Sequence, residues 1–255
     1  MTFIIPVRKI IRKFPRLRTT GVRCVNYIKN PRALKTDLLV TCRLPFARRM
    51  GIEYISPNYI FFDRFDQNSV VIDVGCGYEA DFSQYLMKRY GVKVFAVDPT
   101  QKHAESLKNI EQNFKGQFRH IPAAISHSQG TITFFETCDN ESGSTLKDHK
   151  NIINDTVISY PVASYSLTGM LEQIERREVD LIKLDIEGAE YQLLESVTKN
   201  DLQPFKQIFV EFHHPAIASL NRTHTKKIVN HICRLGYDVF TLDFINYLFY
   251  KHIDV

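Results

Sequence analysis

Four acidic side chains stand where apolar runs end: Asp73, Asp98, Asp185 and Glu211. Glu187 and His213 follow the last two of these by two positions each. Carboxylates and an imidazole are groups that attract cations or accept protons. In an open α/β sheet the ligand crevice lies beyond the carboxyl ends of the strands. If each apolar run is a strand, all six groups gather at one crevice. Side-chain alternation puts Glu211 and His213 on the same side of their strand, so one can touch a hydroxyl while the other orients it, whereas His214 turns to the other side. His213, or Glu211 acting directly, is the candidate base, with Asp185 beside them. A divalent cation held by Asp185, Glu211 and His213 is the alternative means of activating a hydroxyl. Glu190, one helical turn on, reads at least as well as a surface residue as it does as a substrate contact.

The first acid belongs to the run Val70-Val-Ile-Asp-Val-Gly-Cys-Gly77, an apolar strand that ends in a glycine turn. Glycines there let backbone approach a ligand closely. Asp98 lies 21 residues beyond Gly77, at the end of the next apolar run, where an acid accepts hydrogen bonds from ribose hydroxyls. The spacing Gly75-x-Gly77-x-x-Ala80 also satisfies a dinucleotide fingerprint. Asp73 and Glu79 argue against a dinucleotide, because a pyrophosphate in this loop would be repelled by neighbouring anions. S-adenosylmethionine carries an ammonium and a sulfonium and no phosphate, so it suits the same acids.

These residues need a scaffold. Short β-branched runs at 70–74, 92–97, 181–184 and 208–212 read as buried parallel strands. Helical patterns at 82–90, 103–114, 167–176 and 189–198 lie between them, and such alternation predicts a parallel sheet covered by helices. Residues 130–136 alternate polar and apolar, which predicts an antiparallel excursion. Residues 137–155 are polar and turn-rich and predict a loop over the active face. The chain ends in a helix over 223–235 followed by two strands, 237–242 and 247–251, which predict a hairpin added to the sheet edge.

The block Asp180-Leu-Ile-Lys-Leu-Asp-Ile-Glu-Gly-Ala-Glu190, taken with 70–77, 123–134 and 210–213, resembles the FkbM family of S-adenosylmethionine-dependent methyltransferases in order and spacing. The resemblance covers roughly residues 60–250, although Cys76-Gly77-Tyr78-Glu79 departs from the family's usual glycine loop. It implies an α/β fold of the Rossmann-like class I methyltransferase type: a mostly parallel seven-stranded sheet, helices on both faces and an antiparallel terminal hairpin. It also implies O-methylation of a saccharide or similar hydroxylated acceptor. The cofactor-binding set expected from the residues and the resemblance together is Asp73, Val74, Gly75, Cys76, Gly77, Asp98, Pro99, Ala124 and Asp185. Glu187, Tyr78 and Ser144 are the expected acceptor contacts. The rival readings are a nucleic-acid methyltransferase, a nicotinamide-dependent oxidoreductase and a non-catalytic binding domain. The Asn-Pro-Pro-aromatic signature of base amino-group methylation is absent, so nucleic acid is not the expected partner.

The whole chain narrows the class further. It has 255 residues, 44% of them hydrophobic and 24% charged, as in a globular enzyme domain with an appendage. Five cysteines without a CxxC pair point to reduced thiols and a cytoplasmic setting. No secretory signal is read at the start, where Pro6 and basic residues interrupt a short apolar run. The net charge of +5 conceals a basic head: residues 1–36 hold ten Lys or Arg and no acid. Three readings fit that head: a helix packed on the body, a segment lying peripherally on an anionic membrane or nucleic acid, and a mitochondrial presequence. The expected division is a basic helical extension over 1–50 and a methyltransferase domain over 51–255.

Overall fold

The computed structural model describes residues 31–55 and 58–251. The chain divides into two compact units, residues 1–50 and 51–255. In the first, α1 (Pro31–Arg49) places Arg48 and Arg49 in its last turn, where cations suit the negative end of the helix dipole. The readings of the basic head fall mainly on residues 1–30, outside the described residues. Among the described residues no helix is long and apolar enough to cross a membrane.

The second unit opens with an antiparallel hairpin, β1 (Ile52–Ile55) and β2 (Tyr59–Phe62). Next come β3 (Val70–Val74), α2 (Asp81–Tyr90), β4 (Lys93–Val97), a single 3-10 turn, α3 (Ala104–Asn113) and β5 (Phe118–Ile121). An insertion follows: β6 (Ala123–Ile125), β7 (Gly130–Thr137), β8 (Gly143–Ser144), α4 (Lys150–Ile153) and β9 (Val157–Tyr165). The remainder runs α5 (Leu167–Gln173), β10 (Val179–Leu184), α6 (Glu190–Glu195), α7 (Lys199–Leu202), β11 (Phe205–Glu211), α8 (Arg222–Arg234), β12 (Tyr237–Thr241) and β13 (Asn246–Lys251).

Seven strands form one sheet in the order β12-β13-β11-β10-β3-β4-β5. From β11 to β5 neighbours are parallel, while β13 runs antiparallel to both β11 and β12. The sequence order therefore reverses between β3 and β10, and the crevice of such a sheet opens at that switch point. The terminal hairpin is present as expected, with β13 against β11 and β12 outermost.

Alternation within β3 shows how the sheet is covered. Val70, Ile72 and Val74 join a core with Met170 of α5, Leu193 and Leu194 of α6, and Ile228 and Ile232 of α8. Asp73 points the other way and meets Ser83 of α2. On that face Phe82 packs with Tyr59 and Phe61 of the β2 strand. The hairpin is tied to the main sheet by buried Gln207, which accepts a bond from the Phe62 amide at 2.7 Å and donates to its carbonyl at 3.4 Å.

The insertion forms a separate four-stranded sheet of order β6-β9-β7-β8. The expected antiparallel excursion at 130–136 is β7, whose partner β9 was not legible in the sequence. The expected loop at 137–155 is partly ordered into β8 and α4.

Candidate active site

A cavity of about 350 Å³ opens over the ends of β3, β4 and β10. Its size lies in the ordinary range for small-molecule sites. Val74, Gly75, Cys76, Gly77, Asp98, Pro99, Ala124, Asp185 and Glu187 all line it. Five residues expected at the site do not: Tyr78, Ser144, Asp73, His213 and Glu211. Tyr78 is exposed beside His103, with ring centroids 6.0 Å apart. Ser144 is buried and structural: its hydroxyl donates to the Glu187 carbonyl at 2.9 Å and accepts from the Leu146 amide at 3.0 Å. Asp73 is fully buried behind the loop, because alternation along β3 turns it away from the crevice.

The Asp73 carboxylate is occupied by the protein itself. It pairs with Lys183 at 3.0 Å and accepts from Ser83 at 2.6 Å. Lys183 stands directly opposite Asp73 in the β3–β10 register and is equally buried. Its ammonium also donates to the Gly75 carbonyl at 2.8 Å and lies 3.4 Å from Asp185. Burial would lower the pKa of the amine, but Asp73 and Asp185 outweigh it and hold the lysine charged. A buried ion pair is costly unless such extra bonds complete it. Here the pair fixes the glycine loop and one cavity acid at once. Lys183 was visible in the sequence as a charge inside an apolar run, a position that requires a partner.

Asp98 ends β4 at the cavity wall. One carboxylate oxygen accepts from the Gly77 amide at 3.0 Å, the other from the Thr100 amide at 2.9 Å. Burial pushes its carboxyl up, yet bonds from His103 and Thr100 outweigh this and leave it below the usual value. Asp98 is thus ionised and couples the glycine loop to the second strand.

Beyond β10 the chain turns sharply. Glu187 has a φ of 51°, in the left-handed region, where a non-glycine residue costs about 1–3 kcal/mol. The turn aims its side chain into the cavity, and the insertion clasps it there. His149 Nε2 lies 2.9 Å from one oxygen, and Ser142 donates to the other at 3.3 Å. Glu141, Ser142, Gly143 and Thr145 complete this side of the wall, so the 137–155 segment does border the site.

His213 stands behind these acids. Its Nε2 is 3.5 Å from Asp185 and 3.6 Å from Glu187, and its Nδ1 is 3.1 Å from Glu190. Glu190 is fully buried, which corrects its reading as a surface residue. Burial lowers the basicity of His213, but Glu190, Asp185 and Glu187 reverse this and carry its pKa to about 10. An imidazolium at neutral pH has no lone pair for a proton, so the geometry does not make His213 a base. Glu211 is largely buried outside the cavity wall, and burial together with Asp185 raises it to about 7. Asp185 is raised by burial against the opposing charges of Lys183 and His213. His214 faces away, bonded to Thr225 at 3.0 Å. Among the described residues no group of three or more His, Cys, Asp or Glu has the arrangement of a metal site.

A seven-stranded sheet of this order, with a glycine loop and an acid after its second strand, is the architecture of a Rossmann-like methyltransferase. The FkbM methyltransferase domain matches residues 66–239, and the chain belongs to that family. No curated protein matches it. Solved structures resembling it include the fibrillarin/Nop5p complex, at 10% identity and a TM-score of 0.43, over 74% of this chain and 75% of that one. The pre-rRNA processing fibrillarin of Methanococcus jannaschii is similar at 9% identity and 0.43, over 78% and 69%. TrmK of M. capricolum, bound to S-adenosyl-homocysteine, is similar at 14% identity and 0.38, over 74% and 67%.

Proposed function

We propose that the domain transfers a methyl group from S-adenosylmethionine to a hydroxyl oxygen of a saccharide or similarly hydroxylated acceptor. The observation that carries this reading is the charge of the cavity wall. Asp98, Glu141, Asp185 and Glu187 line it, and among the described residues no Lys or Arg does. A pyrophosphate would meet four carboxylates, with Lys183 and His213 standing only behind Asp185 and Glu187, whereas a sulfonium and an ammonium are favoured there. This argument replaces the one from Asp73, whose charge Lys183 balances.

When bound, S-adenosylmethionine supplies an electrophilic methyl group on sulfur. The protein's share is alignment and proton removal. The Gly75–Gly77 backbone and Asp98 would hold the nucleoside end. Asp185 is the proton acceptor: it lines the cavity, burial raises its carboxyl, and Lys183 at 3.4 Å and His213 at 3.5 Å hold it in place. Glu187 is held more closely and is depressed: burial opposes this, but His149 and His213 outweigh it. With S-adenosylmethionine bound, its sulfonium would supply the methyl group and keep the carbon–sulfur electron pair, and Asp185 would take the proton that the acceptor hydroxyl gives up.

Calorimetry with S-adenosylmethionine and with NAD tests the cofactor class, and transfer of labelled methyl to a panel of free hexoses tests the acceptor class. Binding of S-adenosylmethionine alone, with label on a hexose oxygen, is the expected result. Binding of NAD alone would move the chain to a different class of enzyme.

A further inference from the structure

Glu190, on the first turn of α6, is fully buried, and its carboxylate is turned inward. One oxygen accepts from the Gly188 amide at 2.8 Å. The other accepts from the His213 amide at 2.8 Å and faces His213 Nδ1 at 3.1 Å. Across the ring, Nε2 faces Asp185 and Glu187. A neutral imidazole has one N–H and one lone pair, so one of its nitrogens would direct a lone pair at an anionic oxygen. The imidazolium, a donor at both nitrogens, fits all three carboxylates.

We propose that Glu190 and His213 are a positioning pair: the buried carboxylate keeps His213 in its imidazolium form, and the imidazolium fixes the carboxylate of Asp185 at the cavity wall. The purpose of the pair rests on reading Asp185 as proton acceptor.

The surrounding charges agree with this division. Lys183 of β10 approaches the other Asp185 oxygen, so the carboxylate is guided from both sides. Glu211 of β11 also interacts with His213 through space, but with its carboxyl raised to about 7 it carries only part of a charge at neutral pH. The His149 ring lies 5.9 Å from that of His213 and takes up Glu187. His149 Nδ1 accepts from the Asn151 amide, which leaves Nε2 to carry its proton toward Glu187. Glu187 thus has His149 close to it and Asp185 has His213, while Glu190 reaches the wall through His213 and through the Gly188 amide beside Glu187.

The test is an imidazole-nitrogen NMR titration of the full chain, with the His213 signal assigned from its loss in His213→Gln. In the wild type both ring nitrogens should stay protonated through neutral pH, with a midpoint near the value of about 10 set by the surrounding acids. Glu190→Gln should lower that midpoint by about 1–3 pH units, the usual effect of losing one adjacent opposite charge. In a sample with carboxyl-labelled aspartate, the Asp185 midpoint should rise in the same variant. A wild-type His213 titrating near its ordinary 6.5 would overturn the proposal. So would a folded Glu190→Gln in which both midpoints stay in place. The wild-type measurement needs no variant, so a Glu190 substitution that fails to fold does not protect the idea. Neither titration depends on methyl transfer. A chain that titrates as expected yet never binds S-adenosylmethionine would refute the proposed function and leave the pair standing.

Discussion

Gly75 lies so close to the backbone of Asp185 that a Cβ on it would stand 1.8 Å from the Asp185 carbonyl oxygen. The cofactor loop and the β10 turn are thus in backbone contact, and the position also has a φ of 71°. Neither backbone can yield without moving the cavity wall. Gly75→Ala should cost at least about 2 kcal/mol of stability, from a strained dihedral and a clash together. It should also abolish measurable binding of S-adenosylmethionine. Gly77 is the control: its φ is 68°, but a Cβ there would meet nothing within 4 Å. Gly77→Ala should lose only the roughly 1–2 kcal/mol of a left-handed residue. Urea denaturation of both variants checks the contrast, and equal losses would discredit the contact as the cause.

Asp98→Ala should weaken S-adenosylmethionine binding by about 1–3 kcal/mol, the range for leaving buried polar partners unsatisfied. The substitution removes a wall carboxylate and also releases the Gly77 and Thr100 amides it holds. Calorimetry on the folded variant is the check. Unchanged affinity would take Asp98 out of the cofactor site.

Glu211 carries a pH signature. Its folded pKa, about 7, lies above its ordinary 4.5, so the folded state binds the extra proton between those values. The stability this gives is complete below pH 4.5 and is lost as pH rises through 7. Glu211→Gln has no charge to bury and should gain on the wild type by about 1–3 kcal/mol between pH 5 and pH 8. Unfolding midpoints in urea at the two pH values give the difference. A gap between the two proteins that stays constant with pH would contradict the burial of this carboxyl.

The parts of the fold legible in the sequence were those with strong apolar continuity. β3 falls at 70–74 as expected, because VVIDV is buried on both faces and reads as one uninterrupted run. β9 escaped notice because only Val162 and Ser164 of it are buried, one of them polar, so its sequence carries no apolar alternation, and Pro161 within it argues against a strand. The site divided in the same way. Glycines and acids at strand ends could be placed from position alone, hence Gly75, Asp98 and Asp185 at the cavity. Partners were invisible: nothing in the chain shows that Lys183 neutralises Asp73, or that Glu190 folds back onto His213. Those contacts join residues 110 and 23 positions apart, and only the packed sheet brings them together.

Asp185 and His213 make the last prediction, because they stand 3.5 Å apart and their roles as acceptor and positioning cation can be told apart by rate. If Asp185 is the acceptor, Asp185→Asn should lower methyl transfer to a reactive hexose by about 10²–10⁴-fold, the usual contribution of a general base. Affinity for S-adenosylmethionine should fall far less than the rate, because Asp98, Glu141 and Glu187 keep the wall negative. His213→Ala should cost less, since Lys183 still guides the carboxylate, and the double variant should be no slower than Asp185→Asn because the two residues act as one unit. The pH profile separates the candidates by sign. A base must be ionised, so with Asp185 the rate falls as pH drops through a carboxyl raised above its ordinary 3.8 by burial. With His213 as base the rate would climb only toward pH 10, where the imidazolium gives up its proton. A wild-type rate already on its plateau at neutral pH, together with an inert Asp185→Asn, assigns the proton to the carboxylate. An active Asp185→Asn beside a dead Glu211→Gln would assign it to the neighbouring strand instead.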